Sequence, residues 1–224
     1  MQKKYRLYVF YAIVIMITMI VCFTEAVMTK YEAVTTFAIS DKKVAITFDD
    51  GPNPDYTACL LEGLKERGVS ATFFLLGKEA EKYPELVLQM YEEGHLVATH
   101  SYDHVNLCNL SDAEAIEQVV KTNRIIEEIT GECPQFIRPP YGCWKENLDY
   151  ETEMLKVLWN VDPLDWNTNS SAVIVKRVLK DVEDGDIILL HDASQSSVNA
   201  AFEIIDQLQK EGYYFVTVDE LVLD

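Results

Sequence analysis

From Lys43 onward the chain alternates short apolar runs with stretches of helical spacing, and this alternation restricts the fold more than any other feature. A strand that is followed by a helix and then another strand lies parallel to that next strand. The predicted strands are Val44–Phe48, Ala71–Leu76, Leu96–Thr99, Phe136–Arg138, Val157–Val161, Asp186–Leu190 and Tyr214–Val218. The predicted helices are Tyr56–Arg67, Glu79–Glu93, Ser111–Thr130, Leu148–Lys156, Ser171–Lys180 and Ser197–Lys210. The pattern predicts an α/β domain, and about seven strands in one domain favour a barrel over an open sheet.

The N-terminus differs from the rest of the chain. Lys3, Lys4 and Arg6 precede an uncharged apolar run from Leu7 to Phe23. A run of this length is typical of a short membrane span or of a secretory signal peptide, and both alternatives stay open. The basic flank predicts that the following residues face outward. We therefore expect a signal or anchor at residues 1–28, a connector at 29–42 and a catalytic domain at 43–224, either on the outer face of the cell membrane or secreted.

Charge and cysteine content restrict the classes of partner and site. The formal net charge of −18 predicts no binding to nucleic acid, because the phosphate backbone would be repelled. The chain has five cysteines but no CxxC pair, which argues against a thiolate zinc site. Outside the cell a disulfide such as Cys133–Cys143 is one expectation, and free thiols are the other.

Metal-ligating residues follow two of the predicted strands. Asp49 and Asp50 come after the first strand, and two adjacent carboxylates stay ionised together only beside a cation. His100 and His104 come after the third, four residues apart, a spacing that would place both on one face of a helical turn. Asp50, His100 and His104 are thus the predicted ligands of a divalent metal, with zinc favoured and cobalt, manganese or iron as alternatives.

Further polar residues follow the later strands. Arg138 could pair with Asp49 and leave it as a metal-free base, and the backbone N–H of Tyr141 could face a developing oxyanion. His191 could act as a general acid if a carboxylate holds its imidazolium, and Asp162 is the predicted carboxylate. Trp166 and Leu189 are expected to shape an apolar slot for an acetyl methyl group.

Five segments in this order resemble the motifs of the polysaccharide deacetylase family, also classed as carbohydrate esterase family 4. They are TFDDGP at 47–52, HSYDH at 100–104, RPPYG at 138–142, DPLDW at 162–166 and LLH at 189–191. The resemblance covers roughly Lys43 to Val218. It implies a distorted barrel with fewer than eight strand–helix units. It also implies Asp49 as base, Asp50, His100 and His104 as metal ligands, Arg138 as the residue that orients the base, and His191 as acid supported by Asp162.

The resemblance further implies a metal-dependent hydrolase that removes N-acetyl groups from an extracellular polysaccharide, with peptidoglycan N-acetylglucosamine as the favoured substrate. Chitin oligomers, N-acetylmuramic acid and exopolysaccharide are alternative substrates. A second enzymatic hypothesis is an O-acetyl esterase of the acetylxylan type. A hypothesis from another functional class is a glycan-binding module without catalysis.

Overall fold

The structure is a computed structural model that describes Met16, residues 42–148 and residues 152–222. The chain divides into two units, Met1–Ser40 and Asp41–Asp224, and the first is described only at Met16, which is helical. Among residues 42–148 and 152–222 no helix has both the length and the apolar character needed to cross a membrane. Apart from Met16, the predicted signal or anchor and the connector up to Asp41 lie outside the described residues.

Seven parallel strands form one sheet in the second unit, which confirms the predicted α/β class. The strands are β1 (Lys43–Asp49), β2 (Thr72–Leu75), β3 (Leu96–Thr99), β4 (Phe136–Ile137), β5 (Leu155–Lys156), β6 (Ile187–His191) and β7 (Tyr214–Phe215). They pair in the order β5-β4-β3-β2-β1-β6, and β7 pairs with β1. The helices are α1 (Thr57–Arg67), α2 (Gly77–Lys82), α3 (Pro84–Glu92), α4 (Asp112–Thr130), α5 (Ser171–Asp181), α6 (Gln195–Lys210) and α7 (Val218–Val222).

The two faces of β1 have different roles because successive side chains of a strand point in opposite directions. Val44, Ile46 and Phe48 are buried in the largest apolar cluster, together with side chains of α1, α5 and α6. The alternate positions face the other side of the sheet and include Thr47 and Asp49, both buried. The helix-covered face thus supplies the core, while the opposite face carries polar residues toward the site.

The predicted distorted barrel takes the form of a half-barrel of parallel strands. In the described part of the chain no strand pairs β5 with β6, the two ends of the main strand order. The predicted strand Val157–Val161 is instead a crossing segment. Its first N–H donates to the carbonyl of Ile137 at 2.9 Å, and its last residue forms a single parallel bridge with Ile188. Five residues that move from one sheet edge to the other cannot pair along their length with either.

Three other boundaries also differ from the sequence prediction. The helix expected at Glu79–Glu93 is divided into α2 and α3, because Pro84 cannot donate the hydrogen bond that would continue the first helix. In the helix expected at Leu148–Lys156, residues 149–151 lie outside the described part, and its last two residues form β5 beside β4. The final strand ends at Phe215, and α7 begins at Val218.

Helix α4 confirms the predicted capping box. The Ser111 hydroxyl accepts from the backbone N–H of Glu114, and the Glu114 carboxylate accepts from the backbone N–H of Ser111. Gly131 ends the helix with φ of 83°, a left-handed conformation that glycine adopts without steric cost. This helix matters for the site, because its Gln118 accepts the backbone N–H groups of Tyr102 and Asp103, between the two predicted metal-ligating histidines.

We expect Ser111→Ala to lower the free energy of unfolding by about 1 kcal/mol, because the first turn of α4 loses its side-chain acceptor. Chemical denaturation monitored by circular dichroism would measure the change. Ser111→Thr is the matched control, since it keeps a hydroxyl and should retain nearly full stability. Equal losses in both variants would contradict a capping role for the hydroxyl.

Candidate active site

The polar residues predicted at the strand ends gather at the carboxyl end of the sheet. Asp49 is the last residue of β1 and lies in register with His191, the last residue of β6. His100 directly follows β3, and Arg138 directly follows β4. Because the strands run in parallel, their last residues all reach the same edge, where α/β proteins place their sites.

Asp50, His100 and His104 form a cluster that could hold a metal ion. Their ligand atoms all lie within 4.8 Å of one another. Oδ1 of Asp50 is 3.5 Å from Nε2 of His100 and 3.4 Å from Nε2 of His104. Ligand atoms that each lie about 2.1 Å from one tetrahedral ion are about 3.4 Å apart, so these separations suit a shared cation. Oδ1 of Asp50 is buried and has no hydrogen-bond partner within the described residues, which also fits a ligand atom.

The two histidines do not share a helical turn, so that part of the prediction is wrong. Residues 100–104 form a loop after β3, in which Ser101 and His104 have φ of 65° and 60°. The hydroxyl of Ser101 accepts the backbone N–H of His104 at 3.1 Å. The histidines therefore converge because the backbone reverses twice in the left-handed region.

The protonation state of His100 suits metal binding. Its Nδ1 lies 2.5 Å from the carbonyl oxygen of Arg138. A carbonyl can only accept, so Nδ1 carries the proton and Nε2 presents its lone pair toward Asp50. Burial lowers the pKa of His100 and outweighs the nearby carboxylates of Asp49 and Asp50, which keeps the imidazole neutral at neutral pH.

Arg138 contacts Asp49, as the sequence predicted. The guanidinium is fully buried, and its Nη1 donates to Oδ1 of Asp49 and to the hydroxyl of Thr47, each at 2.7 Å. Its Nη2 donates to the carbonyl of Leu158 at 3.0 Å, and its Cζ lies 4.1 Å from the ring centroid of Phe74. Arg138 thus engages Oδ1 of Asp49, while Oδ2 of Asp49 lies 3.7 Å from Nε2 of His100.

His191 pairs with Asp165, and the predicted pairing with Asp162 is wrong. Nδ1 of His191 lies 2.8 Å from Oδ1 of Asp165, whose Oδ2 accepts the hydroxyl of Ser197 at 2.7 Å. Burial alone would lower the pKa of His191, but the hydrogen bond and charge of Asp165, aided by Asp49 and Asp50, raise it to about 9. Burial also acts to raise the pKa of Asp165, but its bonds to His191 and Ser197 outweigh that effect and lower it.

The conformation of the 162–166 loop explains why Asp165 takes this place. The carboxylate of Asp162 accepts the backbone N–H of Leu164 at 2.8 Å, which is a local turn interaction. Leu164 is left-handed, with φ of 53°, so the chain reverses and directs Asp165 inward. Both aspartates belong to one short motif, and nothing in the residue types alone distinguishes the partner of His191.

A cleft of about 660 Å³ contains these groups and the predicted substrate-contacting residues. Tyr141 and Trp166 are two-thirds exposed at its rim, whereas Leu189 is buried in its wall. The ring of Tyr141 also packs edge-on against His104, with 4.9 Å between centroids. Trp159, which lies outside the five motifs, lines the same cleft, and its ring centroid is 5.7 Å from Cζ of Arg138. The oxyanion role of the Tyr141 backbone N–H stays a prediction.

A disulfide joins two loops of the site, but not the one expected. Cys108 bonds to Cys143, whereas Cys133 is a free, exposed thiol. Cys108 lies four residues after His104, and Cys143 lies two residues after Tyr141. The bond thus ties the loop of a predicted metal ligand to the loop that carries Tyr141.

Comparison with known proteins is consistent with this geometry. A family model described as polysaccharide deacetylase matches residues 38–157. The peptidoglycan-N-acetylmuramic acid deacetylase PdaC of Bacillus subtilis is 44% identical over 182 residues, which are 81% of this chain and 39% of PdaC. A peptidoglycan-N-acetylglucosamine deacetylase of Bacillus cereus is 40% identical over 199 residues, or 86% of this chain and 72% of that protein.

The solved structure of the peptidoglycan deacetylase PdaC from Bacillus subtilis has the same fold. The two superpose with a TM-score of 0.79 at 44% identity, over 82% of this chain and 91% of the chain in that structure. This chain therefore spans well under half of full-length PdaC but most of the part that was solved.

We expect Cys108→Ser combined with Cys143→Ser to lower the free energy of unfolding by roughly 3–4 kcal/mol, because the unfolded chain regains the entropy of a loop of about 35 residues. Denaturant unfolding under non-reducing conditions would measure it. Cys133→Ser is the matched control and should leave stability nearly unchanged. A loss with Cys133→Ser and none with the double variant would show that the bond is paired differently.

Proposed function

Because the chain belongs to the polysaccharide deacetylase family, we propose that it is a metal-dependent hydrolase that removes N-acetyl groups from peptidoglycan, with N-acetylglucosamine as the favoured sugar. The bond cleaved is a carbon–nitrogen bond other than a peptide bond. One observation carries the proposal: an Arg138-paired carboxylate and an Asp165-paired histidine flank a three-ligand cluster in one cleft. The names of the relatives at 40–44% identity support peptidoglycan as the polymer.

The cation would be held by Asp50, His100 and His104, and we propose zinc. Two imidazoles and one carboxylate suit zinc, and cobalt, manganese or iron are alternatives. When bound, such an ion supplies Lewis-acid polarisation of a carbonyl and stabilises developing negative charge. Asp49, although 3.7 Å from Nε2 of His100, is engaged by Arg138 through its other oxygen, which supports its role as a base beside the ligand set.

The chain's own residues divide the proton transfers between them. Asp49 accepts a proton from the attacking water, whose oxygen forms the new bond to the amide carbon. His191, protonated because Asp165 raises its pKa, donates a proton to the sugar nitrogen as the carbon–nitrogen bond breaks. Acetate and a free amino sugar leave. The backbone N–H of Tyr141 would donate to the oxyanion, and Trp166 and Leu189 would enclose the acetyl methyl group.

The substrate must be reached outside the cytoplasm, so we propose that residues 1–28 anchor the chain to the cell membrane with the catalytic domain outside, or direct its secretion. The basic residues before the apolar run support this orientation. A domain in that position could reach the N-acetylglucosamine and N-acetylmuramic acid residues of peptidoglycan.

Acetate release tests the proposal directly. We expect the purified chain to release acetate from acetylated peptidoglycan, to lose this activity with a chelator and to regain it with zinc. Asp49→Asn should lower turnover by a factor of about 100 or more, because the general base is removed. Parallel reactions with chitin oligomers and with acetylated xylan test the two enzymatic alternatives. Preferred release from chitin oligomers would indicate a chitin-oligomer deacetylase, and preferred release from acetylated xylan would indicate an O-acetyl esterase. Glycan binding without any acetate release would refute the enzyme and revive a binding module.

The pH dependence distinguishes the two candidate partners of His191. We expect the alkaline limb of kcat/KM near the His191 pKa of about 9, because activity falls as the imidazolium loses its proton. Asp165→Asn removes the charge that raises this pKa, so the limb should move to lower pH. Asp162→Asn is the matched control and should leave the limb in place. If only Asp162→Asn shifted the alkaline limb, Asp162 and not Asp165 would be the partner of His191.

A further inference from the structure

Asp192 is a buried carboxylate beside the site that the reaction steps above do not use. It directly follows His191 at the end of β6 and is 1% exposed. Because Asp49 and His191 are in register, Asp192 and Asp50 leave neighbouring strands at the same level. This placement brings Asp192 against the turn that follows Asp50.

Two contacts join Asp192 to that turn. The hydroxyl of Thr57 donates to Oδ2 of Asp192 and accepts the backbone N–H of Asn53 at 2.7 Å. Gly51 lies directly on the carboxylate, since a Cβ on this glycine would be 2.6 and 2.8 Å from its two oxygens. Burial raises the pKa of Asp192 to about 6, and the Thr57 bond acts in the opposite direction.

The turn needs such support because its backbone is unfavourable. Asp50 has φ of 74°, a left-handed conformation that a residue with a side chain keeps only where its surroundings hold it there. On one side the carbonyl of Gly51 accepts the backbone N–H of Leu76 at 3.1 Å. On the other side the turn meets Asp192 and its bond to Thr57. The turn is therefore held from both sides, by a backbone hydrogen bond from β2 and by the side chains of Asp192 and Thr57.

We propose that Asp192 is a positioning residue that acts through Thr57 and Gly51 to hold Asp50 where it meets His100 and His104. The inference rests on the proposed metal site and extends it to a carboxylate outside the ligand set. Groups that orient metal ligands without touching the ion typically change affinity 10- to 100-fold when they are removed. Asp192 therefore contributes to metal affinity as well as to folding.

The test is titration of the whole chain with Co²⁺, with affinity and visible absorption as readouts that do not depend on activity. We expect Thr57→Val and Asp192→Ala to raise the Kd for Co²⁺ about 10- to 100-fold and to alter the spectrum of the bound ion. Thr57→Ser and Asp192→Asn keep a hydroxyl and an acceptor oxygen, so both should restore affinity close to that of the unchanged chain.

Thr72→Val controls for loss of a buried threonine hydroxyl. Thr72 is buried at the start of β2, and its hydroxyl accepts the backbone N–H of Val218 instead of a group in the turn. It should lower the melting temperature but leave the Kd for Co²⁺ unchanged. If Asp192→Ala does not fold, the Kd of Thr57→Val for Co²⁺ is sufficient to test the inference.

The outcomes separate this inference from the proposed function. Unchanged Co²⁺ affinity in Thr57→Val, with a lower melting temperature, would assign the pair a purely structural role and overturn the inference while leaving the metal site intact. Absence of Co²⁺ binding by the unchanged chain would overturn the metal site itself, and this inference with it.

Discussion

The buried guanidinium of Arg138 is the interaction on which the site depends. A charge removed from water is costly unless it is paired and hydrogen-bonded, and Arg138 has Asp49, Thr47 and the Leu158 carbonyl as acceptors. The same residue's backbone oxygen fixes the tautomer of His100. One residue at the end of β4 thus orients both the proposed base and a proposed metal ligand. Its loss would leave Asp49 as an unpaired buried charge, so folding and chemistry are coupled at this position.

The half-barrel makes this coupling possible. In β1, Val44, Ile46 and Phe48 pack into the helix-covered core. Thr47 and Asp49 face the other side of the sheet, where Arg138 donates hydrogen bonds to both. The crossing segment 157–161 completes the enclosure, since the Leu158 carbonyl accepts from Arg138 and Val161 bridges to Ile188. Segment 157–161 has the composition of a strand but lines the polar interior instead. Because its backbone is irregular, the Leu158 carbonyl is available to Arg138, whereas a regular strand would use such a carbonyl within the sheet.

The sequence predicts the parts of the structure that depend on local patterns. The long helix α4 carries its capping box and terminal glycine in the residues themselves, and β1 and β3 lie where apolar runs place them. The set of residues at the strand ends was also predictable, because parallel topology brings them together. Loop conformation could not be predicted in this way. The left-handed backbone of Leu164 directs Asp165 and not Asp162 toward His191, and the residue types alone do not indicate this. Cys143 likewise pairs with Cys108 because of how two loops meet, which residue spacing does not encode.

The unfavourable backbone conformations show how the fold sustains the site. Asp50, Ser101, His104, Tyr141 and Leu164 all have positive φ, and each lies in one of the five motifs. Such residues cost on the order of 1–3 kcal/mol each, so they persist only where their surroundings hold them. Here the surroundings are identifiable: Gln118 binds the 100–104 loop, the disulfide joins that loop to the one bearing Tyr141, and Thr57 with Asp192 supports the turn after Asp50. The apolar core beneath β1 supplies the stability that offsets this strain, which is why residues far from any substrate belong to the physical basis of the site.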